Sequence, residues 1–269
     1  TELKDAASKV SAENDELSRH AATLEAELTA QREEHEADVS ALQALHVDLR
    51  GQLAGLEALQ AQNAELQVAL PGLLEAADLI GSTQIQGRAT ICGNLCNASP
   101  AGDSIPAMIA AGAVCDIATA DGSRELAVED FVTGVGQNAL QPGEFLLGLK
   151  LPMPGPETRD AYLRFTPRTE MDIAVAGVGV SLTVIDGICT AARVAIGAVA
   201  PTARLVPDAA HALVGTDLNG QALVAAGEAC KAAASPISDK RGTAEYRKKV
   251  VAVLCRRAIA LAHQRIQGA

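Results

Sequence analysis

The 269-residue chain has no tryptophan, and its five Phe and Tyr residues (Phe131, Phe145, Tyr162, Phe165 and Tyr246) begin only at position 131. Its core must therefore be aliphatic, and an apolar content of 48% suffices to build one. Basic residues are outnumbered: 22 Lys and Arg stand against 33 Asp and Glu, for a net charge of −11. Nucleic acid asks for a basic face and is excluded as the expected partner. No apolar run approaches the roughly 18 residues of a membrane span, and the first residues are polar, so the chain is expected to be cytoplasmic, with no membrane segment. The six cysteines (Cys92, Cys96, Cys115, Cys189, Cys230, Cys255) form neither a CxxC pair nor a regular framework, which predicts reduced thiols. Cys92 and Cys96 are spaced CxxxC without a second pair to complete four ligands, so no metal site is expected. His211 and His263 are isolated, no nucleophile stands near a base, and no catalytic residue is assigned.

What is present divides the chain in two. Residues 1–70 hold five basic and fourteen acidic side chains, against 17 and 19 in residues 71–269. The acidic arm keeps a seven-residue register. Its d positions are Leu3, Val10, Leu17, Leu24, Gln31, Asp38, Leu45, Gln52, Leu59 and Leu66; its a positions are Ala7, Asn14, Ala21, Leu28, His35, Leu42, Leu49, Leu56, Asn63 and Leu70. Some ten proline-free heptads predict one long helix that buries its seam against a partner, by self-association. Asn14 and Asn63 are candidate register setters, Gln31, His35 and Asp38 make a weak middle, and Gly51 and Gly55 cost helix stability.

Pro71-Gly72 ends the register. A short helix over LLEAADLI is predicted next, with Gly81 as its C-terminal cap. Gly81 to Asp103 is rich in turns and small side chains, which leaves backbone N–H groups free for a diphosphate or another anion. Ser104 is expected to cap a helix of small residues; strand-like VCDIAT, an Asp121-Gly122 turn, RELAV and EFLLGLKLP follow. Pro152, Pro154, Gly155 and Pro156 mark a linker. Beyond it, two β-branched runs flank Asp186-Gly187 as a hairpin, followed by Ala-rich helices near 207–214 and 221–233. A last helix over about 243–264 carries Val250, Leu254, Ala258 and Leu261 on one face and Arg247, Lys248, Arg256 and Arg257 on a solvated one. The expected domains are 1–70, 71–153 and 159–269.

The run from Thr90 to Asp103, TICGNLCNASPAGD, resembles the flavin-binding loop of the FAD-binding middle subunit in the xanthine dehydrogenase and carbon monoxide dehydrogenase (molybdenum hydroxylase) family. Further motifs carry the likeness to the end of the chain: GxRxxxxxDFVTG from Gly122 to Gly134, LxPGEFLLGLKLP, MDIA ending at Ala174, AIGAVAPTARL and the SDKRGTAEYRKKVVAVLCRRAI tail. The resemblance implies an α+β fold: a partial vanillyl-alcohol-oxidase-type FAD-binding subdomain and a small C-terminal sheet-and-helix domain, preceded by the coiled coil. It implies FAD as cofactor and partners in a molybdopterin-binding large subunit and an iron–sulfur small subunit. Thr90, Ile91, Cys92, Gly93 and Asn94 would meet the diphosphate, Asp103 would take a polar contact, and Leu146, Leu147 and Arg164 would lie near the flavin ring. Two positions depart from the family pattern: Cys92 stands where the loop usually has glycine, and Arg164 where lysine is frequent. Residues 1–70 do not resemble the second glycine-rich loop, of the A-G-G-T-D-L sort, that family members carry ahead of this stretch. A natural fusion, a chimera and a site completed by another chain all fit that difference. The alternative function is an interaction protein in which the heptad arm is the working part and the truncated flavin domain binds no FAD.

Overall fold

The computed structural model describes residues 2–168 and 172–268, with side chains described from residue 14 onward. The side chains of the predicted seam positions Leu3, Ala7 and Val10, and all of Met171 of the MDIA motif, lie outside what is described. The chain forms two compact units, residues 1–63 and 64–269.

The first unit is helical. Helix α1, Glu2–Ala69, runs without interruption through both glycines. Between residues 14 and 63 its large apolar side chains are exposed, from Leu17 (67%) to Leu59 (63%). No proline breaks the register until position 71, where Pro71 itself starts the next helix with a residue whose missing N–H costs nothing there.

The second unit begins with α2 (Pro71–Asp78), α3 (Thr83–Gln86), α4 (Ile91–Cys96) and α5 (Ser104–Ala111). Strands β1 (Val114–Thr119) and β2 (Gly122–Ala127) follow, then α6 (Val128–Phe131), β3 (Val132–Gly134), β4 (Gln137–Asn138) and β5 (Phe145–Lys150). After the proline-rich loop come β6 (Thr158–Phe165), β7 (Ala176–Ile185), β8 (Ile188–Gly197), β9 (Arg204–Leu205), α7 (Pro207–His211), α8 (Gly220–Ala233) and α9 (Ala244–Gln267). The strands make a three-stranded sheet ordered β2-β1-β5, the small pair β3-β4, and a four-stranded antiparallel sheet ordered β6-β7-β8-β9. The β7–β8 hairpin turns at Asp186 and Gly187, both at positive φ (52° and 76°), as a two-residue turn matched to strand twist requires.

Alternation along the four-stranded sheet builds two cores. Val178, Val180, Leu182, Val194 and Ile196 face α8 and α9, where Ala226, Val251 and Ile259 meet them. Tyr162 and Ala195 face the opposite way, into a core with Ile105, Met108, Ile109, Ile117 and Phe131. Helix α5 lies on that second face with all eight residues buried. Two glycines let it approach: a Cβ at Gly179 would lie 2.5 Å from the Pro106 carbonyl oxygen, and one at Gly197 would lie 2.9 Å from the Pro106 ring.

Three local expectations change. Asp103, not Ser104, is the residue preceding α5; Ser104 opens the helix and donates its hydroxyl to Asn94 Oδ1 at 2.8 Å. Gly81, at φ +62°, lies beyond the cap of α2, which is Leu79. Arg247 is not on a solvated face: it is 4% exposed and donates to the carbonyls of Val175 (3.0 Å) and Ala198 (3.4 Å) and to Asp239 Oδ1 (2.7 Å). The strand–helix seam there lacks backbone partners for those carbonyls, and the guanidinium supplies them.

Candidate functional site

Helix α4 is held at both ends. Thr90 accepts the Gly93 N–H on its Oγ1 at 2.9 Å, and Asn138 donates to the Cys96 carbonyl at 3.0 Å. A Cβ at Gly93 would sit 2.9 Å from Thr90 Oγ1, so any larger residue would press on the cap. With Gly93 N–H taken by the threonine, the amides of Ile91 and Cys92 are the first-turn donors that helix geometry leaves without a carbonyl. Thr90 and Gly93 are exposed, and Ile91, Cys92 and Asn94 are half-buried. Burial pushes both the Cys92 and Cys96 thiols above their ordinary range, which keeps them neutral. All six cysteines are unbridged.

The loop is tied to β6 through α5. Asn94 accepts from Ser104, and the neighbouring Asp103, only 6% exposed, receives Tyr162 Oη on one carboxylate oxygen and Arg164 Nη1 on the other, both at 2.7 Å. Burial raises the Asp103 carboxyl above its usual range, while the hydrogen bonds from Tyr162 and the charge of Arg164 pull the other way. Tyr162 is held well above its ordinary value, first by burial and then by the Asp103 charge. Tyr162 and Arg164 alternate along β6 and so share a face; a Cβ at Gly177, beside them on β7, would come 2.4 Å from the tyrosine oxygen.

The two leucines part company. Leu146 packs against the second core, whereas Leu147 is 54% exposed on the edge strand. The preceding loop is fixed by Glu144, which receives Arg124 Nη2 at 2.7 Å and Nε at 2.8 Å and the Gln141 N–H at 2.8 Å. The Arg124 hydrogen bonds, with that from Gln141, hold the Glu144 carboxyl down at about 2. Two motif residues, the arginine of GxR and the glutamate of PGEF, thus serve to shape the loop.

The predicted residues therefore form a connected series: Thr90–Asn94, then Asp103 with Arg164, with Leu146 and Leu147 on β5, which packs beside α4. They do not line the cavity of about 390 Å³ found nearby, whose walls include Ser99, Ile173, Pro201, Arg241 and Arg247. Sequence reading missed Tyr162. Its signal was the spacing of two from Arg164 in a chain with only two tyrosines. Among the described residues no group of three His, Cys, Asp or Glu is placed to hold a metal, and no helix is long and apolar enough to cross a membrane. Free first-turn amides, a glycine and a held guanidinium suit an anionic dinucleotide better than a metal or a proton-transfer substrate.

Two family models match in tandem: the FAD-binding domain in molybdopterin dehydrogenase over residues 52–154, and the CO dehydrogenase flavoprotein C-terminal domain over residues 161–262. The carbon monoxide dehydrogenase medium chain of Afipia carboxidovorans is 36% identical over 203 residues, 76% of this chain and 70% of that one. The chain belongs to the FAD-binding middle-subunit family of the molybdenum hydroxylases. A second member of this middle-subunit family, the xanthine dehydrogenase FAD-binding subunit of Escherichia coli, is 29% identical over 191 residues, covering 71% of this chain and 65% of that one. The solved structure of reconstituted CO dehydrogenase from Oligotropha carboxidovorans superposes with a TM-score of 0.72 at 36% identity, over 74% of this chain and 70% of that one. The chain thus spans about two thirds of the length of these relatives. The first family match begins at residue 52, inside α1, so the end of the heptad helix aligns with the family even though its sequence reads as coiled coil.

Proposed function

We propose that this middle subunit holds FAD along the first turn of α4 and the Tyr162–Arg164 face of β6, in a complex with a molybdopterin-binding large subunit and an iron–sulfur small subunit. The observation that carries the proposal is the Asn94–Ser104 and Asp103–Arg164 pairing, which joins the glycine loop to the strand that presents the cation. Thr90 fixes the turn; the amides of Ile91 and Cys92, with Gly93 beside them, receive the diphosphate. Leu147, with Leu146 behind it, offers an apolar contact to the ring. Because both oxygens of Asp103 are already engaged, its part is to hold Arg164, whose planar head then keeps one orientation. When bound, FAD supplies electron transfer, taking electrons from iron–sulfur clusters on a partner and passing them to NAD or another acceptor. The working parts are 1–70 as a self-associating coiled coil, 71–153 as the FAD-binding subdomain and 159–269 as the C-terminal domain.

Titrating FAD by flavin fluorescence against the unmodified chain, Cys92→Gly and Asp103→Ala tests the site. Cys92→Gly clears a side chain from the anion's approach and should tighten binding; Asp103→Ala frees Arg164 and should weaken it. Equal affinity in all three would move the flavin elsewhere. Sedimentation of Leu45→Asp/Leu59→Asp tests self-association, since two charges in the seam should dissociate it.

A further inference from the structure

We infer that α1 pairs with α1 of a second copy as a parallel, in-register, two-stranded coiled coil. The inference rests on the self-association reading and specifies its geometry. Eight of the nine leucines between residues 14 and 63 fall at a or d positions, and each of those eight is more than half exposed. A seven-residue repeat drifts by about 20° per heptad around a straight helix, so a seam this long stays in contact only if two helices wind about each other.

Polar residues in the register choose the orientation. Between residues 14 and 63 the g positions include Glu27, Glu34 and Asp48 and no Lys or Arg, an acidic edge, whereas the e positions carry one acid, Glu25, and one base, Arg32. In an antiparallel pair g faces g, and that acidic edge would meet itself. In a parallel pair g faces the e position of the next heptad on the other chain, which sets Glu27 against Arg32 of the second copy, and by symmetry does so twice. Asn14 and Asn63 agree. A parallel, in-register pair brings each asparagine opposite its own counterpart, where one amide donates and the other accepts, while an antiparallel pair sets a against d and removes that match.

The test is sedimentation equilibrium of the full chain, alongside Glu27→Arg, Arg32→Glu and the double variant, at low salt. The expected result is a mass twice that of the 27.6 kDa chain, a dissociation constant raised severalfold in each single variant, and recovery in the double variant, which rebuilds the pair with its signs exchanged. A trimer overturns the two-stranded assignment, and a dimer indifferent to these changes or tightened by Glu27→Arg overturns the parallel one, while self-association stands in each case. A monomer in the unmodified chain overturns both, and the flavin titration above is unaffected by either result.

Discussion

Asp160 shows how one side chain couples the fold to pH. It is 3% exposed and accepts the N–H groups of Gly72 and Leu73 at 2.8 and 2.9 Å, so it caps the first turn of α2 from a strand 88 residues away. Burial raises its carboxyl to about 6, against the pull of those two N–H groups and of Arg265, with Glu75 adding to the rise. An acid whose folded value lies above its unfolded one binds more protons in the folded state between the two. Its contribution is complete below about pH 4 and is lost as the pH climbs through 6, a change of roughly 2–3 kcal/mol. Urea unfolding across pH 4–7 should therefore show a steeper decline in the unmodified chain than in Asp160→Asn, which keeps an acceptor but cannot titrate. Parallel curves for the two proteins would refute the coupling. Asp103 differs in kind: its ion pair with Arg164 makes removal costly, and Asp103→Ala strands a buried tyrosine hydroxyl and a guanidinium, which should lower stability by about 2–4 kcal/mol. The same unfolding curve, without ligand, gives that number and separates it from lost FAD affinity.

Among the elements, those written in local pattern were legible. The heptads marked α1, the Asp186-Gly187 turn marked the β7–β8 hairpin, and the apolar face of α9 includes Leu254 and Ala258 as buried residues. What escaped depends on partners far along the chain. Nothing around Arg247 announces that it answers carbonyls 72 and 49 residues earlier, and nothing around Asp103 announces Tyr162. The likeness of Thr90 to Asp103 to the family's loop lies in its own run of residues, whereas its link to β6 through α5 appears only once the sheet is formed. Helix α9 makes a clear contrast. Arg247→Ala should cost about 3 kcal/mol, because it leaves the buried Val175 carbonyl, the half-buried Ala198 carbonyl and Asp239 unanswered, while the exposed Arg257→Ala should change stability by under about 0.5 kcal/mol. Equal effects in thermal unfolding would mean that the seam is satisfied some other way.

At the scale of the whole molecule, the division at residue 63 separates two sources of stability. The heptad helix exposes its apolar stripe, which the proposed pairing with a second copy would cover, since an isolated helix draws little from propensity alone. Residues 64–269 close their own cores: Leu66 and Ala69 pack against the cluster that holds Leu70, Leu73 and Ile105, so the end of α1 belongs to the body. A chain beginning at Ala64 should therefore keep cooperative unfolding and the same FAD affinity as the full chain, while losing concentration-dependent association. Chains beginning at Pro71 should do worse, because Leu66, Ala69 and Leu70 leave the second core together, and a loss of several kcal/mol follows from uncovering them. Urea melts at two protein concentrations distinguish the cases. If the 64–269 chain unfolds without cooperativity, the body depends on the helix arm. If instead its midpoint still rises with concentration, association arises in the body and the heptads are not its source.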